Sequence, residues 1–193
     1  MKGYYKKVFY PTLFFFLLSC SAPKDNAELL NEAHTFIKNG QAPSAVISLK
    51  NILQNDPNHI EARYLLGKIY LDAGNYHSAE KEFKKSLEIN PANSQASLYL
   101  AKTQLSLSQF DTLLKTLENQ EFNDIEDKTY SLLLSAQANL SLDKKEDAKS
   151  LIARANILNN GSLHTIFGNA LISSYDDNNE KALLLLDDIL KQD

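Results

Sequence analysis

One position recurs along this chain at a nearly constant interval, and this recurrence restricts the possible folds more than any other feature. It is occupied by alanine in four cases out of five and by leucine in the other, at intervals of 34, 34, 35 and 34 residues: Ala45, Ala79, Leu113, Ala148 and Ala182. Periods of 20 to 50 residues are typical of repeat architectures. The period predicts stacked supersecondary units, each contacting mainly its neighbours.

Residues 60–93 show most clearly what one unit contains. Apolar residues at spacings of three and four predict two amphipathic helices that face each other. Gly67 is small enough to let the helices cross closely, Gly74 suits the left-handed turn that ends the first helix, and Pro91 stops the second. The residues predicted to fill the seam are Leu66, Tyr70, Phe83 and Leu87.

This unit resembles the tetratricopeptide repeat (TPR), a helix–turn–helix of 34 residues. Only Ser86, where alanine is usual, and Arg63, where a large apolar residue is usual, depart from the pattern. The resemblance implies an all-α fold, an α-solenoid of about five repeats over residues 26–193. The units, numbered 1 to 5 in chain order, are predicted at 26–59, 60–93, 94–127, 129–162 and 163–193.

Two places depart from this regular pattern. The pattern is lost at Asn119–Asp127, where we expect a deformed helix end and a longer loop. The last predicted helix, EKALLLLDDIL, is apolar nearly all round, whereas solenoids normally place a polar capping helix over their final repeat. We therefore expect either that the chain is the N-terminal piece of a longer array or that it self-associates through its last unit.

The N-terminus has the features of an export signal. Lys2, Lys6 and Lys7 precede the apolar stretch of residues 8–18, which is too short to span a bilayer as a helix. This order is typical of a bacterial signal peptide, predicted at residues 1–19.

The end of that stretch, Leu17 to Cys20, is similar to the lipobox of bacterial lipoproteins, and Cys20 is the only cysteine. The similarity implies cleavage before Cys20 and lipid attachment to it, with residues 20–25 as the acylated cysteine and a short tether. Two or three acyl chains would anchor the chain durably. An ordinary signal peptide with a chance cysteine is the alternative. Ser21 after the cysteine favours the outer membrane facing the periplasm.

Charge and motif content argue against several functions. Without the three lysines of residues 1–19 the chain keeps 17 basic and 24 acidic residues, a net charge of −7, which disfavours nucleic acid as a partner. The four histidines are not spaced as paired metal ligands. The acidic runs do not match the sequence pattern of a calcium-binding loop. No nucleophile elbow or glycine-rich phosphate loop is present. We predict a non-catalytic protein without cofactor or metal.

The remaining candidate site is a groove. In the TPR family, positions 2, 5, 9, 12 and 13 of the first helix usually face the concave surface, which implies a groove for an extended peptide or partner helix. Leu98, Leu105 and Leu133 suit packing within the first-helix layer equally well. The implied positions are Leu30, His34, Ile37, Lys38, Glu61, Tyr64, Lys68, Leu71, Asp72, Leu98, Lys102, Leu105, Tyr130, Leu133, Gln137, Phe167, Leu171 and Tyr175.

A lipobox followed almost at once by repeats resembles the TPR lipoproteins of exosortase and PEP-CTERM systems (PrsT-type), most closely over residues 26–93. This resemblance implies a lipid-anchored periplasmic scaffold that supports exopolysaccharide export or PEP-CTERM protein sorting through protein–protein contacts. An outer-membrane assembly or pilus-biogenesis lipoprotein of the same architecture is the alternative. A hydrolase on a helical scaffold is disfavoured, because the sequence shows no recognisable combination of a nucleophile with a general base.

Overall fold

The computed structural model describes residues 24–191, and this part of the chain forms ten α-helices. Each odd-numbered helix packs against the next even-numbered one as an antiparallel hairpin, and each hairpin packs on the following hairpin. The predicted all-α solenoid is therefore confirmed. The helices are α1 (Asn26–Lys38), α2 (Ala42–Asn55), α3 (Ile60–Asp72), α4 (Tyr76–Ile89), α5 (Ser94–Ser106), α6 (Phe110–Glu118), α7 (Ile125–Ser141), α8 (Lys145–Leu158), α9 (Leu163–Tyr175) and α10 (Asn179–Leu190).

The predicted signal peptide and the predicted lipid attachment at Cys20 lie outside the described residues. Among the helices of residues 24–191, none is both long enough and apolar enough to cross a membrane.

The turn inside every hairpin is built in the same way. The fifteenth residue of each unit has a positive φ, between 57° and 71°. The next backbone N–H then donates to the carbonyl five residues earlier, at 2.8 to 2.9 Å, which closes the end of the first helix. Glycine adopts this conformation without cost, but only the first two units supply it. The five residues are Gly40, Gly74, Ser108, Asp143 and Asp177.

The first helix of every hairpin begins at a side chain that accepts a hydrogen bond from the backbone. Such a cap satisfies one of the N–H groups that have no partner within the helix. The capping residues are Asp25, His59, Asn93, Asp124 and Ser162. The start of each unit is therefore encoded locally, by one residue placed before an apolar run.

The close helix crossing predicted at Gly67 is present. A Cβ added at this residue would lie 2.7 Å from the ring of Phe83, so any larger residue would push α3 and α4 apart. Phe83 itself is fully buried, and Leu66 and Ala79 beside the crossing are buried too. Glycine at this place therefore lets a large ring fill the seam.

Arg63, the departure noted in the sequence, lies in a buried ion pair. Its Nη1 donates to Glu82 Oε2 at 2.6 Å, and its Nε donates to the carbonyl of Pro57 at 2.8 Å. Nη2 donates to the same carbonyl. Arginine thus replaces an apolar side chain by tying α3 to α4 and to the loop that precedes α3.

The array is irregular where the sequence pattern is lost. Helix α6 ends at Glu118 after nine residues, and α7 begins at Ile125, within the range predicted for unit 3. The expected longer loop is present at residues 119–124, with six residues where the other loops between hairpins have four. Its last residue, Asp124, caps α7 by accepting from the N–H groups of Glu126 and Asp127. Helix α7 therefore begins four residues before the predicted start of unit 4.

Candidate functional site

Two adjoining cavities lie along the first helices of units 3, 4 and 5. The first has a volume of about 400 Å³ and receives side chains from α5, α7 and α9. The second has about 590 Å³ and extends the same surface toward the turns. They share Leu105 and Gln137, so they form one feature, here named the C-terminal groove.

The C-terminal groove gathers most of the predicted positions of units 3 to 5. The first cavity is lined by Lys102, Leu105, Tyr130, Leu133, Gln137 and Phe167 from the predicted set. The second adds Leu171 and Tyr175. The structure thus brings these side chains together, while their role in binding stays a prediction.

The floor of the first cavity is apolar, and few charged side chains line the cavity. Leu133 is buried, whereas Tyr130 and Phe167 are half-buried. Lys102 is exposed, and within residues 24–191 it has no carboxylate oxygen within 4.0 Å. An apolar floor with one uncompensated cation suits a ligand that presents an apolar group next to an anionic one.

Tyr130 and His164 form one wall of this cavity. The centroids of their rings are 4.7 Å apart, and His164 Nδ1 lies 3.1 Å from Glu126 Oε2. Burial, with a smaller contribution from Tyr99, raises the pKa of the Tyr130 phenol. The tyrosine is therefore neutral at physiological pH and can only donate or accept hydrogen bonds there.

Tyr175 at the far end of the groove is held in place by its neighbours. Its hydroxyl donates to Asp143 Oδ1 at 2.8 Å, which raises the pKa of the tyrosine. Lys145 Nζ lies 5.6 Å from its ring centroid, and this lysine also pairs with Asp176. This end of the groove is consequently polar and ordered by contacts between units 4 and 5.

In units 2 and 3 the predicted positions form an aromatic cluster rather than an open cavity. The ammonium group of Lys68 lies 5.6 Å from the ring centroid of Tyr64 and 5.1 Å from that of Tyr99. Burial raises the pKa of Tyr64, and the neighbouring Tyr99 and Asp127 raise it further. Lys68 is therefore partly engaged by cation–π contacts before any ligand arrives.

The predicted positions of unit 1 are divided among different surroundings. His34 Nε2 lies 3.0 Å from Glu61 Oε1 of unit 2, so these two residues contact each other across the two hairpins. Ile37 and Asp72 line a separate cavity of about 320 Å³ between units 1 and 2. Lys38 is exposed at the end of α1.

Besides Leu133, which is buried in a core cluster and also lines the first cavity, three of the predicted leucines pack into the core. Leu71 is buried with Ala79 and Phe83, and Leu98 is buried in the cluster around Leu113. Leu30 is half-buried against the core of units 1 and 2. Adjacent hairpins cover these side chains, so they stabilise the array instead of facing a ligand.

The sequence reasoning missed several residues near the site, among them Ser106 and Leu134 of the first cavity. Tyr99 completes the aromatic cluster although it occupies position 6, which the family pattern does not assign to the groove. His164 stands at position 2 of unit 5, so the pattern could have identified it. Leu163 and Ile189 also line the first cavity, and no signal in the sequence pointed to them.

Within the described residues, no group of three or more His, Cys, Asp or Glu side chains is arranged to hold a metal ion.

Comparison with protein families identifies the repeat. Two tetratricopeptide-repeat family models match, one over residues 36–85 and one over residues 67–112. Human Superkiller complex protein 3 is 33% identical over 75 residues, which is 39% of this chain. That match spans only 5% of the length of the human protein.

Solved structures show the same architecture. MamA (residues 41 to the end) from Desulfovibrio magneticus RS-1 superposes with a TM-score of 0.71 at 19% identity, covering 88% of this chain and 96% of that one. Pseudomonas aeruginosa pilF superposes with a TM-score of 0.69 at 15% identity, covering 86% of this chain and 75% of its own. Residues 36–112 are thus tetratricopeptide repeats, and the described chain has the all-α superhelical fold of TPR proteins.

Proposed function

We propose that this protein is a non-catalytic scaffold that binds a protein partner as an extended peptide in the C-terminal groove. The observation that carries the proposal is the pair of adjoining cavities, because they bring residues from three successive hairpins to one surface. A peptide lying across the hairpins can place successive side chains in successive pockets.

The chemistry of the groove defines the peptide. Tyr130, Leu133 and Phe167 offer an apolar pocket for one large side chain. Lys102 at the same cavity offers a positive charge for a carboxylate on an adjacent residue. We therefore expect a peptide that pairs an aromatic or aliphatic residue with an acidic one.

A peptide library displayed on phage tests this expectation. Selection against the chain should enrich peptides with an acidic residue beside a large apolar one. Reversing the groove charge with Lys102→Glu should raise the Kd of these peptides about tenfold, since a charge contact of about 1.4 kcal/mol is lost. Lys50→Glu is the matched control, because Lys50 is exposed on α2, outside the groove.

The binding proposal fails if no peptide is enriched, or if Lys102→Glu and Lys50→Glu weaken binding equally. The first result would remove the groove as a peptide site. The second would indicate non-specific attraction to positive charge.

The proposal includes a location. The order of lysines, apolar stretch and Cys20 supports export and lipid anchoring to the bacterial cell envelope, in the outer membrane facing the periplasm. Intact mass of the membrane-extracted protein, beside a Cys20→Ser variant, tests it. Loss of residues 1–19 with added acyl chains, absent from the variant, is expected. An unacylated wild-type chain would contradict anchoring.

The pathway proposed is exopolysaccharide export or PEP-CTERM sorting, which rests on the combination of lipobox and early repeats. Outer-membrane assembly or pilus biogenesis is the second candidate. The fold similarity to pilF is compatible with it but, at 15% identity, concerns the fold alone. Deleting the gene and measuring secreted polysaccharide beside surface pili separates the two, since each predicts loss of only one product.

Self-association through the last unit, expected from the sequence, would use α9 and α10 as a second interaction surface.

A further inference from the structure

Exposed large apolar side chains gather at one end of the array. Of the twelve in residues 24–191, eight lie after residue 156: Ile157, Leu158, Leu163, Tyr175, Leu183, Leu184, Leu186 and Leu190. The opposite end differs, because α1 has one exposed large apolar side chain, Ile37, while its other exposed side chains include Glu28, Asn31 and Lys38. Ile157 and Leu158 lie on α8, and Leu163 and Tyr175 line the C-terminal groove. The other four lie on α10, so the remaining apolar surface belongs to the last helix.

Comparison of equivalent positions shows what this surface is built to contact. The twenty-fourth residue of units 1 to 4 is at most 8% exposed, and in unit 2 it is Phe83, whose ring stacks 5.8 Å from that of Tyr99 on α5. The same position in unit 5, Leu186, is 37% exposed. Within residues 24–191, no further helix covers it.

A cavity lies beside the partly exposed Leu186. It has a volume of about 400 Å³ and lies between α9 and α10, lined mainly by apolar groups that include Phe167, Leu171, Leu183 and Leu186. Inner hairpins present the equivalent surface to the first helix of the next unit. The last hairpin thus carries a helix-binding surface of the kind already used at every junction in the array.

We propose that two copies of this chain associate through this surface, with the two α10 helices antiparallel across a two-fold axis. A head-to-tail contact would place the apolar face against Glu28 and Asn31 of α1, which is unfavourable. The matching apolar surface on a second copy is the same face, and a surface that pairs with itself forms a closed, isologous dimer.

The sequence of α10 fits this arrangement. Leu183, Leu186 and Leu190 follow one another at spacings of three and four, so they form one stripe along the helix. Glu180 lies at the start of the helix and Lys191 just after its end. Lys191 also pairs with Asp187 of its own helix, and both side chains are more than half exposed. Antiparallel pairing places each Glu180 beside Lys191 of the second copy, where the lysine can contact both carboxylates, whereas parallel pairing would place like charges together.

Sedimentation equilibrium of the full chain in a mild detergent, with Cys20→Ser to prevent acylation, tests the dimer. The double variant Leu183→Glu, Leu186→Glu should raise the dimer dissociation constant at least tenfold. In this variant two charged side chains replace apolar ones in the interface. Ile47→Glu is the control, since Ile47 is 62% exposed on α2 at the other end. It should leave the constant unchanged, and any association through residues 1–23 is common to all variants.

A charge exchange tests the antiparallel geometry and does not depend on replacing apolar residues. In an Asp187→Asn background, which removes the pairing of Lys191 within its own helix, Glu180→Lys should weaken the dimer about threefold to tenfold, and adding Lys191→Glu should restore it. A monomeric wild-type chain overturns the proposal, as does equal weakening by the leucine and Ile47 variants. Failure of the second charge change to restore association overturns the antiparallel pairing. None of these results depends on Lys102, so the peptide groove is tested separately.

Discussion

Units 2 and 5 share one sequence pattern but have different surroundings. Phe83 and Leu186 occupy the same position of their units, yet the first is fully buried and the second is partly exposed. Unit 2 has a hairpin on each side, whereas within the described residues unit 5 has one on one side only. The comparison shows that a repeat supplies half of each interface, and that a neighbour must supply the rest.

The charged residues of the two units differ in the same way. In unit 2, Arg63 and Glu82 pair inside the array with both side chains about nine-tenths buried. In unit 5, Asp176 pairs with Lys145 and with Lys149 at the surface. A buried pair depends on both partners being present, whereas a surface pair contributes little.

The largest difference is expected from truncating the equivalent apolar residues. Phe83→Ala should lower the free energy of unfolding by about 3 to 5 kcal/mol, because it leaves a cavity beside Gly67. Leu186→Ala should lower it by roughly 1 kcal/mol, since its side chain is already partly in water. Urea unfolding followed by circular dichroism, at low protein concentration, measures both.

Equal losses for the two variants would contradict the comparison. They would show that Leu186 is covered as completely as Phe83 even in the monomer.

The next largest effect is expected at the buried ion pair. Glu82→Gln should cost about 3 kcal/mol, because it leaves the Arg63 guanidinium buried beside a neutral group. Replacing both residues by leucine should cost much less, since no charge then remains inside. A double replacement as damaging as Glu82→Gln would show that the bonds from Arg63 to the Pro57 carbonyl matter more than the ion pair.

Smaller effects on the free energy of unfolding are expected at the hairpin turns, and they have opposite signs in units 2 and 5. Gly74→Ala should lower the free energy of unfolding by about 1 kcal/mol, because alanine is strained at a φ of 71°. At the equivalent place in unit 5, Asp177→Gly should raise it by roughly 0.5 kcal/mol, since glycine relieves the same strain. Thermal unfolding of the two variants compares them, and a stabilising Gly74→Ala would exclude the strain argument.

The smallest effect concerns pH. Hydrogen bonds from Lys145 and then Lys149 hold the pKa of Asp176 below its usual value. A carboxyl group with a lowered folded-state pKa stabilises the fold above its unfolded pKa, and this stabilisation is lost as the pH falls through the folded-state value. The wild type should therefore exceed Asp176→Asn slightly in stability at neutral pH, and the two should converge below about pH 4. A constant difference across this range would assign the effect to something other than the carboxylate.

The fold could be predicted far better than the site. The period, the two helices of each unit and the close crossing at Gly67 follow from residue spacing. The positive φ at Gly74 follows from residue type, but its recurrence at Ser108, Asp143 and Asp177 does not, because serine and aspartate adopt that conformation less readily than glycine. At these positions the closure of the hairpin fixes the backbone conformation, whichever residue is present.

The groove was predicted less completely, because whether a side chain lines it depends on the neighbouring hairpin as well as on its own repeat. The family pattern named Lys102, Tyr130 and Phe167, which do line one cavity. It also named Leu71, which the next hairpin buries, and left out His164, whose ring lies beside that of Tyr130 at an angle of 38°.

The sequence by itself determined that this protein is an all-α array of stacked hairpins, because helix periodicity, caps and turns are properties of neighbouring residues. Only the tertiary structure decided which side chains of that array remain open. Exposure depends on how closely the adjacent hairpin approaches, and that distance is fixed by side chains about 34 residues away. Leu186 and Phe83 occupy the same place in the pattern, and only the neighbouring hairpin distinguishes them.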